Sequence, residues 1–97
     1  MNETVWTLGF EIDIQDIYDR LDRRSEGTGD TFYIDDLRTM KVLQFNPLLG
    51  RRVCGSRVRR ILVHNRNYGM LYTVEATRII LHCLLDLVRQ AQSNKTN

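Results

Sequence analysis

The stretch RVRRILVHNRNYGMLYTV, residues 57–74, sets the architecture of the chain. Val58, Ile61, Leu62 and Val63 make its first half β-prone, and Met70 to Val74 form a second β-prone run. Between them Asn65-Arg66-Asn67-Tyr68-Gly69 has hairpin-loop composition, with a glycine available for a positive φ. Two adjacent antiparallel strands follow from this reading, and the remaining elements must cover the sheet that they begin.

Toward the N-terminus, Trp6, Leu8, Phe10 and Ile12 alternate with Thr7, Gly9 and Glu11, which predicts a half-buried strand over residues 4–12. Asp13 then fits a helix N-cap, and Ile14, Ile17, Tyr18 and Leu21 continue at helical spacing. Asp13, Asp16 and Asp19 lie toward the start of that helix and Arg20, Arg23 and Arg24 toward its end, as the helix dipole favours. Residues 25–30 (SEGTGD) read as a loop, and Thr31 to Ile34 as a short strand. Residues 35–45 fit either a helix or a strand, ended by Asn46-Pro47 because the residue before proline leaves helical geometry. Glu75 to Gln92 reads as a C-terminal helix, with Thr73 as a cap and apolar residues over more than half its circumference.

The expected fold class is α+β: a small, mostly antiparallel sheet of three to five strands covered by two helices, in the order β-α-β-(β)-β-β-α. Residues 1–92 form one domain in this reading, and residues 93–97 a flexible polar tail. With 97 residues, 42% of them hydrophobic and 27% charged, the composition is that of an ordinary globular domain. Cys54 and Cys83 are expected as reduced thiols, with Cys83 buried. The N-terminal stretch lacks a basic region followed by an apolar run, and no segment approaches the length of a membrane span. A cytoplasmic or nuclear location without membrane association is expected.

Charge is the most informative feature. The net charge of +2 hides ten acidic and three basic residues in 1–36, against eight basic and no acidic residues in 37–74. Arg51, Arg52, Arg57, Arg59, Arg60 and Arg66 form the densest part, with no lysine among them. Arginine presents a planar fork of donors that grips phosphate or carboxylate bidentately. Gly50, Gly55 and Ser56 lie among these arginines and would let phosphates approach backbone amides, while Tyr68 and Tyr72 would add stacking. Three uses of the cluster compete: nucleic-acid phosphates, the chain's own N-terminal carboxylates within one chain or across a dimer, and an acidic segment on a protein partner.

Catalytic and metal-binding motifs are not evident. His64, His82, Cys54 and Cys83 lack the spacing of zinc ligands, and Gly27-Thr28-Gly29 lacks the lysine of a phosphate-binding loop. Neither cofactor nor metal is expected, and no enzymatic activity. The favoured expectation is a small accessory or regulatory protein, viral or otherwise, that binds nucleic acid, RNA before DNA, through the six arginines. It would dimerise through Ile80, Leu84, Leu87 and Ala91 on the C-terminal helix. The alternative is an interaction adaptor whose basic surface docks an acidic partner.

Overall fold

The computed structural model describes residues 1–95. In chain order they form β1 (Glu3–Trp6), α1 (Leu8–Arg24), α2 (Thr28–Phe45), β2 (Arg51–Arg52), β3 (Arg59–Val63), β4 (Tyr68–Glu75), β5 (Arg78–Asp86) and α3 (Leu87–Lys95). The five strands make one sheet in the order β1-β5-β4-β3-β2. Every neighbouring pair is antiparallel except β1 with β5, which runs parallel. The expected α+β class with a mostly antiparallel sheet holds, and the hairpin of residues 57–74 is β3–β4, with Ile61 opposite Met70 and Val63 opposite Tyr68.

The N-terminal strand stops at Trp6, earlier than the alternation implies. Thr7 is the true N-cap: its backbone is extended, and its hydroxyl accepts the Phe10 amide at 3.1 Å and donates to the His82 carbonyl at 3.1 Å. Residues 8–12 therefore belong to α1, which turns Phe10, Ile14 and Ile17 into the core and leaves Leu8 and Ile12 exposed. Asp13 is not a cap; its carboxylate accepts the Leu84 amide at 2.9 Å and ties α1 to β5.

Residues 28–45 form a single helix, so the expected strand at Thr31 to Ile34 is corrected. Asp22 accepts the amides of Gly27 and Gly29 at 3.2 and 3.0 Å, which satisfies donors where α2 starts. Phe32, Asp36, Met40 and Leu43 then fall on the buried side of α2, a helical spacing that overrides the β preference of the aromatics. Asp36 is wholly buried, and neither carboxylate oxygen has a hydrogen-bond partner among the described residues. Burial, with the neighbouring Asp35 charge adding to it, pushes its carboxyl up to about 8.

The expected helix at 75–92 is also corrected: residues 78–86 are the strand β5, and α3 begins only at Leu87. β5 lies between β1 and β4 as an inner strand of the sheet. Ile79, Leu81 and Leu84 enter the core, while Ile80, Cys83 and Leu85 are half-buried on the other side. A short apolar run of this kind has the same composition as a buried helix segment. Residues 93–95 belong to α3, and residues 96–97 of the expected tail lie outside the described residues. No described helix is long and apolar enough to cross a membrane.

A candidate anion-binding ribbon

The site begins with a clamp. Gly50 donates its amide to the Tyr72 hydroxyl at 2.8 Å, and that hydroxyl donates to the Pro47 carbonyl at 2.8 Å. Arg59 Nη1 donates to the Gly50 carbonyl at 2.8 Å and more weakly to the Leu48 carbonyl at 3.3 Å. Burial pushes the Tyr72 phenol above its ordinary pKa, opposed by the Gly50 amide and by Arg59. It remains a neutral hydroxyl that both accepts and donates. These bonds lay the 47–50 segment over the end of the sheet and deliver β2 to its edge.

At that edge Arg51 lies directly opposite Arg60, and Arg52 directly opposite Arg59. Like charges facing each other across a strand pair destabilise it. The pleat separates the pairs, one on each face of the ribbon. Arg51, Arg60 and Arg66 line a cleft of about 560 Å³ together with Leu49, Ile61 and Leu62. Arg52, Arg57 and Arg59 line a smaller one of about 160 Å³ with Leu48 and Val74. The aliphatic stem of Arg60 lies over Gly69, where an added Cβ would fall 3.0 Å from Arg60 Cδ.

The connection between β2 and β3 is a tight turn. The Ser56 hydroxyl donates to the Val53 carbonyl at 2.7 Å and accepts the Val58 amide at 3.1 Å, with Cys54 and Gly55 both at positive φ. Arg52 Nε donates to the Ser56 carbonyl at 3.2 Å, which steadies that guanidinium along the turn.

Five of the six sequence-predicted arginines lie on β2, β3 or the turn that joins them, and Arg66, in the β3–β4 turn, lines the same cleft as Arg51 and Arg60. Arg51, Arg52, Arg57, Arg60 and Arg66 are exposed; Arg59 is half-buried and holds the clamp. The ion pairs among the described residues join Arg20 to Asp16 and to Asp86, each at 3.3 Å, and neither involves the ribbon. Pairing of the arginines with the acids of the same chain is therefore overturned.

Several expected contributors are corrected. Tyr72 is fully buried and Tyr68 nearly so, which removes both from any stacking role. The Gly50 amide is taken by Tyr72 and does not face a ligand. Ile80, Leu84, Leu87 and Ala91 do not share a helix face: Ile80 and Leu84 are on β5, Leu84 in the core, and only Leu87 and Ala91 are on α3. Cys54 is exposed and Cys83 half-buried rather than buried, both as free thiols. His82 shares a hydrogen bond with Thr73 at 2.8 Å, and no cluster of metal-ligating side chains occurs among the described residues.

Sequence reasoning missed the clamp and the leucines that border the arginines. Pro47-Leu48-Leu49-Gly50 was the available signal, since exposed leucines beside a basic run mark a mixed surface; Leu48 is 64% and Leu49 54% exposed.

No family model matches the chain, and no curated protein sequence is similar to it. Among solved structures it is similar to a chain from a chromosomal ParDE TA system of P. aeruginosa. The two share 20% identity and a TM-score of 0.78, with 90% of this chain and 97% of that one covered. At that level of identity the likeness is one of fold, and this chain has the fold of that P. aeruginosa protein.

Proposed function

We propose that the protein is the target-binding member of a toxin–antitoxin pair of the ParDE kind, a small regulatory protein that acts by binding rather than by chemistry. In this reading its arginine ribbon grips nucleic-acid phosphates, of RNA before DNA. The observation that carries it is the ribbon itself: two arginine pairs kept face to face at a cost in stability, without a carboxylate from the chain to neutralise them. Fold kinship with a chain from a TA system supports the regulatory role.

A second reading has its own support. Both clefts combine arginines with leucine, isoleucine or valine side chains, a lining that complements an amphipathic acidic segment. A ParDE system names two proteins, so a protein partner for this surface is a natural expectation. In that arrangement the partner covers the arginines and competes with nucleic acid for them.

Inducible expression in a bacterial host tests the regulatory reading. The natural chain is expected to slow growth, and the Arg51→Glu, Arg60→Glu, Arg66→Glu chain, expressed to the same soluble level, to restore it. Unaffected growth with soluble natural chain refutes the toxin-type role.

A further inference from the structure

A further cavity lies in the acidic half of the molecule. It measures about 470 Å³, within the range of small-molecule pockets, and opens between the end of β1, the first half of α1 and the start of α2. Three aromatic residues line it: Trp6, Tyr18 and Tyr33, each half-buried. Ile14, buried in the core, belongs to the same lining, and Glu11 and Asp30 are at the rim, exposed.

Two of the rings are held before any ligand arrives. Trp6 packs edge-to-face with Phe10, centroids 5.2 Å apart and planes at 74°. The Tyr18 hydroxyl donates to Asp30, and that bond, with the surrounding carboxylates, raises the phenol to about 12, so the ring carries no charge of its own at neutral pH. Gly29 lets α2 approach α1 closely at this point: a Cβ there would fall 2.8 Å from the Tyr18 carbonyl oxygen. Neither Glu11 nor Asp30 takes part in an ion pair among the described residues.

We propose that this pocket binds an organic cation, a quaternary ammonium or guanidinium group, seated against Trp6, Tyr18 and Tyr33 with Glu11 and Asp30 at its edge. Aromatic faces carry the negative lobe of the ring quadrupole and attract a cation above them. Cations that are weakly hydrated lose little on leaving water, which favours these groups over a strongly hydrated ammonium or metal ion. The two carboxylates add selectivity for charge that an apolar hollow lacks. The site is independent of the arginine ribbon and uses none of its residues.

Trp6 is the single tryptophan of the chain and reports occupancy directly by its fluorescence. Choline, N-acetylarginine amide and 3,3-dimethyl-1-butanol, the neutral isostere of choline, are titrated against the full chain. A saturable change with a cation, and affinity for the isostere at least about tenfold weaker, is expected. Tighter binding of choline identifies a free small cation as the ligand, and tighter binding of the arginine amide a side chain of another protein. Tyr33→Leu and Glu11→Gln, shown by circular dichroism to be folded, are each expected to weaken cation binding about threefold to tenfold. No saturable response to either cation, or equal affinity for the isostere, overturns the proposal.

Discussion

Gly50 and Tyr72 meet so closely that the Gly50 amide sits 2.8 Å from the Tyr72 hydroxyl, while a Cβ on Gly50 would fall 2.7 Å from that same oxygen. The remaining space is closed by Tyr72 Cε1 at 2.8 Å and the Arg60 carbonyl at 3.0 Å, a buried ring and a strand backbone that have nowhere to move. Gly50→Ala is therefore expected to destabilise the fold by about 1–3 kcal/mol through overpacking. Tyr72→Phe leaves the Gly50 amide and the Pro47 carbonyl without their shared partner and is expected to cost a similar amount, about 1–3 kcal/mol. Urea denaturation of both variants checks this, with an unchanged midpoint as the adverse result.

Asp36 makes stability depend on pH in an unusual direction. Its folded pKa of about 8 lies above its ordinary 3.8, so between these values the native chain holds a proton that the unfolded chain has released. The stabilising contribution is complete below about pH 4 and is lost as pH rises through about 8. The melting temperature should fall from pH 5 to pH 9, and Asp36→Asn should flatten that fall and raise stability most at pH 9. Equal slopes for the two chains would contradict the assignment.

The facing arginines predict a gain in stability from removing one of them. Arg51 is exposed and opposite Arg60, so Arg51→Thr relieves a like-charge contact and supplies a β-branched residue. An increase of about 0.2–1 kcal/mol at low salt is expected, shrinking as salt screens the repulsion. Thermal melts at two ionic strengths measure it.

Asp86 ends β5 and starts α3. One oxygen accepts the Arg89 amide at 3.0 Å and the other accepts Arg20 at 3.3 Å. Asp86→Ala removes cap and ion pair together and is expected to cost about 1–2 kcal/mol, whereas Asp86→Asn keeps the cap and costs less. Hydrogen exchange across residues 87–92 should rise in the alanine variant and stay near the natural level in the asparagine variant.

What the sequence revealed follows from how local each signal is. The β3–β4 hairpin was legible because two β-prone runs flank Asn65 and Asn67 within eighteen residues. Gly69, expected in the loop, instead lies on β4 and pairs with Leu62, and His64, Asn65 and Arg66 take the positive φ. The start of α1 was not, because Trp6 to Ile12 satisfies a period of two while Phe10, Ile14, Ile17 and Leu21 satisfy the helical one. Only the Thr7 bonds decide between them. β5 reads as a helix because its half-buried face is apolar too and a register shift opposite Leu71 and Tyr72 interrupts the alternation, so no clean period of two is left. The arginines were legible from composition, and the exposure of Arg51 and Arg52 follows from the edge position of β2. The clamp was not, since it joins residues twenty-two apart, and the Trp6 pocket draws on three elements.

Binding of labelled single- and double-stranded RNA and DNA by the natural chain and by the Arg51→Glu, Arg60→Glu, Arg66→Glu variant, at about 50 and 200 mM salt, bears most directly on the role of the ribbon. The natural chain should bind at low salt and lose affinity steeply at high salt, while the folded variant should bind neither polymer. Equal binding by both chains, or none by the natural chain even at low salt, would contradict a phosphate-gripping arginine surface.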